Sequence, residues 1–155
     1  MTQGEMLQLV TFRLEKEEFG VDIQKVQEIN RVNAITRVPN TPAFVEGVIN
    51  LRGRIVPIVD LRKRLGFKHG CYGKMARVII AELEGMEVGF IVDSVSEVLR
   101  ISGGAIEPPP SLAAGIESEY ILGVGRVDDR LVILLELKKI FTIHEKNEIN
   151  TSGLN

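Results

Sequence analysis

Few residues in this chain are placed to do covalent chemistry. The histidines are His69, in a loop, and His144, near the C-terminal end; neither sits beside a Ser or Cys in a tight turn, so no nucleophile–base dyad is suggested locally. Cys71 is the lone cysteine. One thiol makes no intrachain disulfide and no thiolate zinc cluster, and in its Gly-rich surroundings it reads as incidental. Gly123 and Gly125 begin a G-x-G-x-x-G spacing, but Asp128 holds the last position and the segment continues as a strand instead of opening a helix. The dinucleotide reading fails on both counts. Asp22, Asp60 and Asp93 fall on strands or at a helix cap without metal-ligand or paired-acid spacing. Acids gathered only by folding stay open at this point. The expectation is a protein with no catalytic activity and no obligatory cofactor.

The residue types left are those of recognition. Arg52, Arg54, Arg62, Lys63 and Arg64 form a basic cluster. One reading is a solvated turn and helix face; another is a binding face, since a guanidinium at a hairpin tip offers a rigid fork of donors to a carboxylate or carbonyl. A nucleic-acid-binding β module is the alternative use of the same cluster. The formal net charge of −2 and the scarcity of aromatics for base stacking weigh against it. No apolar run approaches the roughly 20 residues of a membrane helix, and MTQGEMLQLV lacks a basic segment leading into an apolar run, so neither membrane insertion nor a secretory leader is expected. The expected location is cytoplasmic.

The elements that must carry these residues are mostly strands, in an aliphatic composition without Trp. LQLVTFRL (7–14) and EEFGVDI (17–23) read as a hairpin, with Phe19, Val21 and Ile23 alternating onto one face; Val26 and Ile29 continue an apolar face. VEGVINL and RIVPIVDL flank a turn at Arg52-Gly53, and Pro57 demands an edge, a bulge or a corner. Asp60 is placed to cap a short helix LRKRLG that stops at Gly66. Residues 67–75 read as a linker. ARVIIAEL, EVGFIVDSVSEVLRI, ILGVGRV and RLVILLEL follow as strands, then a short amphipathic helix LKKIFTIHEK and a tail at 147–155 expected to be disordered. Leu131–Leu135 are apolar without alternation, which predicts a strand covered on both faces where two halves meet.

The halves are copies of one another. A shift of 69 lays residues 14–29 on 83–98, matching Leu14/Leu83, Glu18/Glu87, Gly20/Gly89, Val26/Val95 and Glu28/Glu97. A shift of 76 lays 47–65 on 123–141, matching Gly47/Gly123, Val48/Val124, Arg54/Arg130, Val56/Val132 and Leu61/Leu137. Each copy, of about five strands, is small for independent stability, so the two should pack together and leave a groove. Positions that diverge between copies are the better functional candidates. The sharpest divergence is a hairpin tip: Asn50-Leu51-Arg52-Gly53 in the first copy, Arg126-Val127-Asp128-Asp129 in the second. Whether the first strands pair within their own copy or exchange is left open.

GVINLRGRIVPIVDLR (47–62) resembles the signature of the CheW family, and FGVDIQKVQEI (19–29), VPNTPAF (38–44), VGFIVDSVSEVLRI (88–101), IEPPP (106–110) and YILGVGRVDDRLVILLEL (120–137) extend the resemblance over roughly residues 7–143. The resemblance implies a mainly β protein: two five-stranded SH3-like barrels, one per repeat (7–66 and 76–144), packed on a shared core within a single CheW-like domain, 1–155. It implies a scaffold that links methyl-accepting chemotaxis receptors to the histidine kinase CheA, through the receptor tip and the CheW-like regulatory domain of CheA. With no receiver or kinase domain in the sequence, a stand-alone coupling protein is expected, recruited to receptor arrays at the inner face of the membrane. By the same mapping Glu28 (of VQEI) and Arg52 (of NLRG) matter for coupling, and Val26, Ile29 and Val98 are apolar residues of the receptor groove. The kinase-binding residues are not indicated.

Overall fold

The computed structural model describes residues 5–68, 70–108 and 118–140. Among the described residues run eleven strands, β1 (Met6–Leu14), β2 (Glu17–Asp22), β3 (Val26–Arg31), β4 (Val45–Leu51), β5 (Arg54–Asp60), β6 (Arg77–Leu83), β7 (Met86–Val92), β8 (Ser94–Ser102), β9 (Ile106–Glu107), β10 (Ile121–Val127) and β11 (Arg130–Leu135), with two short helices, α1 (Leu61–Leu65) and α2 (Leu137–Ile140). The four tight hairpins turn on equivalent residues: Glu15, Arg52, Glu84 and Asp128 all have positive φ, between 51° and 55°. A two-residue hairpin needs that conformation because it matches the right-handed twist of the strands. Helix α1 starts and stops as its sequence dictates. The Asp60 carboxylate accepts from the Arg62 backbone N–H at 2.9 Å, and Gly66 ends the helix at φ 83°.

The fold class is the expected one, two small β sheets with few helical residues, but the sheets do not follow the repeat boundaries. One has the order β3-β6-β7-β5-β4 and the other β8-β1-β2-β11-β10-β9. Each copy therefore lends its first hairpin to the other: β6–β7 complete the barrel of β3, β4 and β5, and β1–β2 complete the barrel of β8, β10 and β11. The division into barrels at 7–66 and 76–144 has to be corrected accordingly. The cause is local. A single residue, Asp93, separates β7 from β8, and one residue cannot reverse a chain that needs at least two for the tightest hairpin. The strand runs on into the neighbouring sheet, and β2 does the same through a 3-10 turn, Ile23–Lys25.

The exchange leaves a reciprocal signature. β5 pairs parallel with β7 and β11 with β2. Beside those pairings Arg54 binds Glu87 (2.6 Å) and Arg130 binds Glu18 (3.2 Å), so the arginine and glutamate that match between copies meet across them. Each barrel closes through the segment that follows its first edge strand: Thr36 bridges to Val48 in the first, and β9 pairs with β10 in the second. Gly47 and Gly123 permit these seams. A Cβ would lie 2.1 Å from the Thr36 carbonyl oxygen at the one and 2.7 Å from that of Glu107 at the other. Pro57 precedes the parallel ladder with β7, which begins at Ile58, and so withholds no hydrogen bond from it.

Three cores result. The largest lies between the sheets and draws on both, with Phe12, Phe19 and Phe90 among its fully buried members. The first barrel encloses Leu51, Val56, Ile58, Val78, Ile80 and Ile91; the second encloses the smaller cluster Leu9, Ile101 and Leu134, with the fully buried Val132 beside Leu9 under Gly20. β11 is covered on both faces from Val132 to Leu135, with Ile133 and Leu135 in the shared core, but Leu131 is 54% exposed and lies outside the buried run. The predicted helix beyond residue 140, His69, His144 and the tail at 147–155 lie outside the described residues.

Candidate functional site

β3 positions three of the candidate residues, and a bulge decides where they point. Val26 pairs with Ala81 but Glu28 with Ile80, so Gln27 is the extra residue. Cross-strand partners share a face. Val26 and Ile29, opposite Ala81 and Ile79, therefore face the shared core, whereas Glu28 and Asn30, opposite Ile80 and Val78, face the interior side of the first barrel. The second copy repeats the device on β8, where the register shifts between Thr11 and Phe12 and leaves Val98 opposite Val10.

β3 and β4 are the two edges of the first sheet, and Arg52, at the tip of the β4–β5 hairpin, reaches Glu28 across the seam. Its Nη2 donates to Glu28 Oε2 and its Nη1 to Oε1 at 3.4 Å. The Asn30 amide adds a bond to Oε1 at 3.0 Å, and the Asn50 carboxamide fixes the turn by accepting from the Gly53 N–H at 2.8 Å. The Arg52 hydrogen bond first, then that of Asn30, hold the Glu28 carboxyl below the usual carboxylate range. The Arg52 side chain keeps 63% of its surface exposed while Glu28 keeps 24%: the acid is the anchor, and the guanidinium presents its remaining donors outward. Glycine, asparagine and aspartate suit the positive φ at this tip better than arginine does. The second copy does place an aspartate there, Asp128 at φ 52°. Glu15 and Glu84 take the same conformation at the other two tips, so the backbone does not set Arg52 apart; its pairing with Glu28 and its exposed cation do.

The structure thus joins Glu28 to Arg52 directly. Val26 is half-buried and packs on the shared core. Ile29 and Val98 are exposed, at 40% and 51%, on repeat-equivalent positions of edge strands in different sheets. Reading the sequence missed Asn30, whose place two residues beyond Glu28 on the same strand face was the available signal.

The basic cluster does not form one solvated face. Arg62 is 6% exposed. It donates to the Gly70 carbonyl at 2.9 Å, pairs with Asp60 and Asp93, and lies 4.3 Å over the Tyr72 ring. Burial lowers its pKa, and the Asp60 hydrogen bond with its charge outweighs that, so the net direction is upward. Lys63 pairs with Glu46 at 2.5 Å. Arg64 stacks on Phe44 and Tyr120 and donates to the Ile140 carbonyl at 3.0 Å, tying the two copies together. Among the described residues no group of three or more His, Cys, Asp or Glu is placed to hold a metal ion, Cys71 is exposed, and no helix is long and apolar enough to cross a membrane.

A family profile described as CheW-like domain matches residues 8–145. The chain belongs to the CheW family. It is 40% identical over 138 residues to the chemotaxis protein CheW of Klebsiella aerogenes, covering 89% of this chain and 83% of that one. The CheW of Thermotoga maritima is 37% identical, with 86% of each chain covered. The crystal structure of the scaffolding protein TtCheW from Thermoanaerobacter tengcongensis superimposes with a TM-score of 0.84 at 39% identity, covering 91% of both chains.

Proposed function

We propose that the chain is a non-catalytic chemotaxis scaffold that couples methyl-accepting receptors to the histidine kinase CheA. It holds the receptor signalling tip on one side and the regulatory domain of CheA on the other, working at the inner face of the membrane without inserting and without an obligatory cofactor. The observation that carries the reading is Arg52: a tip arginine, anchored by Glu28 and open to a partner. Ile29 and Val98 supply apolar contact to the receptor, and Val26 supports that surface from beneath. The nucleic-acid alternative loses its footing, because the arginines and lysine it needs are engaged by Glu28, Glu87, Asp60, Asp93 and Glu46 or stacked on rings.

The test is a titration of Arg52→Ala with a receptor signalling-tip fragment and, separately, with the CheA regulatory domain. The expected loss is on the order of 10- to 100-fold in affinity for one partner, the range of a charge-assisted hydrogen bond, while the melting temperature moves by no more than about 2 °C. Arg52→Lys should recover only part, since an ammonium lacks the planar fork. Unchanged affinity for both partners would remove Arg52 from the site.

A further inference from the structure

The duplication supplies an internal control for the barrel ends. In the first barrel Tyr72 closes the end. Its ring packs on the barrel core under the Arg62 guanidinium, and its hydroxyl donates to the second carboxylate oxygen of Asp60, whose first oxygen caps α1. The second barrel rebuilds this frame without the tyrosine. Glu136 stands at the position the repeat aligns with Asp60. Its N–H donates to the Tyr120 carbonyl at 2.9 Å, as that of Asp60 donates to Phe44 at 2.8 Å, and its Oε1 accepts from the Lys138 N–H at 3.3 Å at the start of α2. Among the described residues no hydrogen bond reaches its second oxygen. Leu9, Gly20 and Leu134 repeat Val78, Gly89 and Ile58 beneath. Among the described residues no aromatic side chain lines this end of the second barrel.

Two clefts lie at this end instead, of about 90 and 70 Å³, sharing Asp22, Leu122 and Leu135; Leu9 and Leu134 floor the first, and Glu136 borders the second. Leu122, where the first copy has Glu46, is 44% exposed. A wetter recess of about 410 Å³ adjoins at Leu7 and Asp22, with room for a main chain.

We propose that this cleft docks a tyrosine presented by a segment of a partner protein, which takes the place Tyr72 takes in the first barrel. The ring rests on Leu9, Leu122 and Leu134, and the hydroxyl donates to an acidic rim formed by Asp22 and Glu136. Lys25 also lines the second cleft, so the rim carries a net charge of −1 and accepts a phenol while disfavouring a phosphotyrosine. Glu28, Arg52, Val26, Ile29 and Val98 do not line the cleft, so the proposal stands apart from the receptor reading and survives its failure.

The experiment titrates full-length, ¹⁵N-labelled protein with a synthetic peptide of residues 67–76 carrying Cys71→Ser. Saturable shifts are expected at Leu7, Asp22, Leu122 and Glu136 with a dissociation constant of about a millimolar, as suits one small side chain. The same peptide with Tyr72→Phe should bind about tenfold more weakly, and the phosphotyrosine peptide should not bind. Leu122→Glu, which copies Glu46, should abolish the shifts with its melting temperature intact. Shifts centred elsewhere, no saturation up to about 10 mM, or equal binding of the tyrosine and phenylalanine peptides would overturn the proposal.

Discussion

Leu134→Ala should cost about 2–3 kcal/mol of stability, less than the same truncation at its repeat partner Ile58. Leu134 is 2% exposed and belongs to the buried cluster it forms with Leu9 and Ile101 in the second barrel. Removing three carbons loses about 0.8 kcal/mol for each. A cavity penalty of about 24 cal/mol per Å³ of unfilled space would add to this. Here the penalty is trimmed, because Leu134 already borders an open cleft of about 90 Å³, and the new space joins it and hydrates. Ile58 is 0% exposed within the six-residue core that Tyr72 closes. Its truncation leaves a sealed void and should cost about 3–5 kcal/mol. Urea unfolding with a common slope measures both, and melting temperatures should fall by about 5–10 °C for Leu134→Ala and further for Ile58→Ala. A cost below about 1 kcal/mol for Leu134→Ala, or a larger cost there than at Ile58, would refute the account of an open second barrel and a closed first one.

The two matched glycines should also respond unequally. A Cβ on Gly89 would lie 2.5 Å from Ile58 Cδ1 and 2.8 Å from Val78 Cγ1, whereas on Gly20 the nearest atom is Val132 Cγ1 at 3.1 Å. Gly89→Ala should therefore destabilise by about 1–3 kcal/mol and Gly20→Ala by less, with Ile58→Val recovering part of the Gly89→Ala loss in the same unfolding assay. The Glu28 side-chain carboxyl, followed by NMR, should titrate below its reference value of 4.5. Because the folded value is depressed, the Arg52 pair is intact above pH 4.5 and is lost as pH falls through the folded midpoint. Arg52→Ala should raise that midpoint, and Asn30→Ala should raise it less.

Much of the fold was legible because period and turn chemistry are local. The alternation at Phe19, Val21 and Ile23, the cap at Asp60 and stop at Gly66, and the four hairpin turns all lie within a few residues of their cause. Sheet membership was not, since β2 and β7 look the same whether they pair at home or in the other copy. Only the one-residue link at Asp93 decides it, and its meaning depends on where β8 begins. Arg62 was misread for a related reason: its partners Gly70, Tyr72 and Asp93 come from other segments, and a basic run in a helix looks solvated until they arrive. Glu28 and Arg52 were each indicated by the family resemblance, and Arg52 also by divergence at the tip, but their pairing was not, and the bulge at Gln27, which separates Glu28 from Ile29 by face, left no mark in the sequence.

The exchange of hairpins also fixes what the two repeats can do alone. If each barrel were built from its own copy, cutting the chain in the 67–75 segment would leave two folded pieces. As built, residues 1–70 lack β6 and β7, whose Val78, Ile80 and Ile91 make up half of the first barrel's six buried residues, and the Glu87 that Arg54 binds. Residues 71–155 lack β1 and β2, and with them Leu9 and the Glu18 that Arg130 binds. Most of the shared core is divided as well, with Phe12 and Phe19 on one fragment and Phe90 on the other. Neither fragment should fold as a monomer. Mixed in equal amounts they should restore the dispersed amide spectrum of the intact chain, with a melting temperature that rises with concentration. A fragment that folds by itself should do so only as a dimer that exchanges hairpins between identical copies, and its mass in solution would show it. A folded, monomeric fragment would contradict the exchange. The consequence is mechanical: surfaces on the two barrels belong to one cooperative body, so the partners proposed at Arg52 and on the second barrel would be fixed in relative position without a hinge between them.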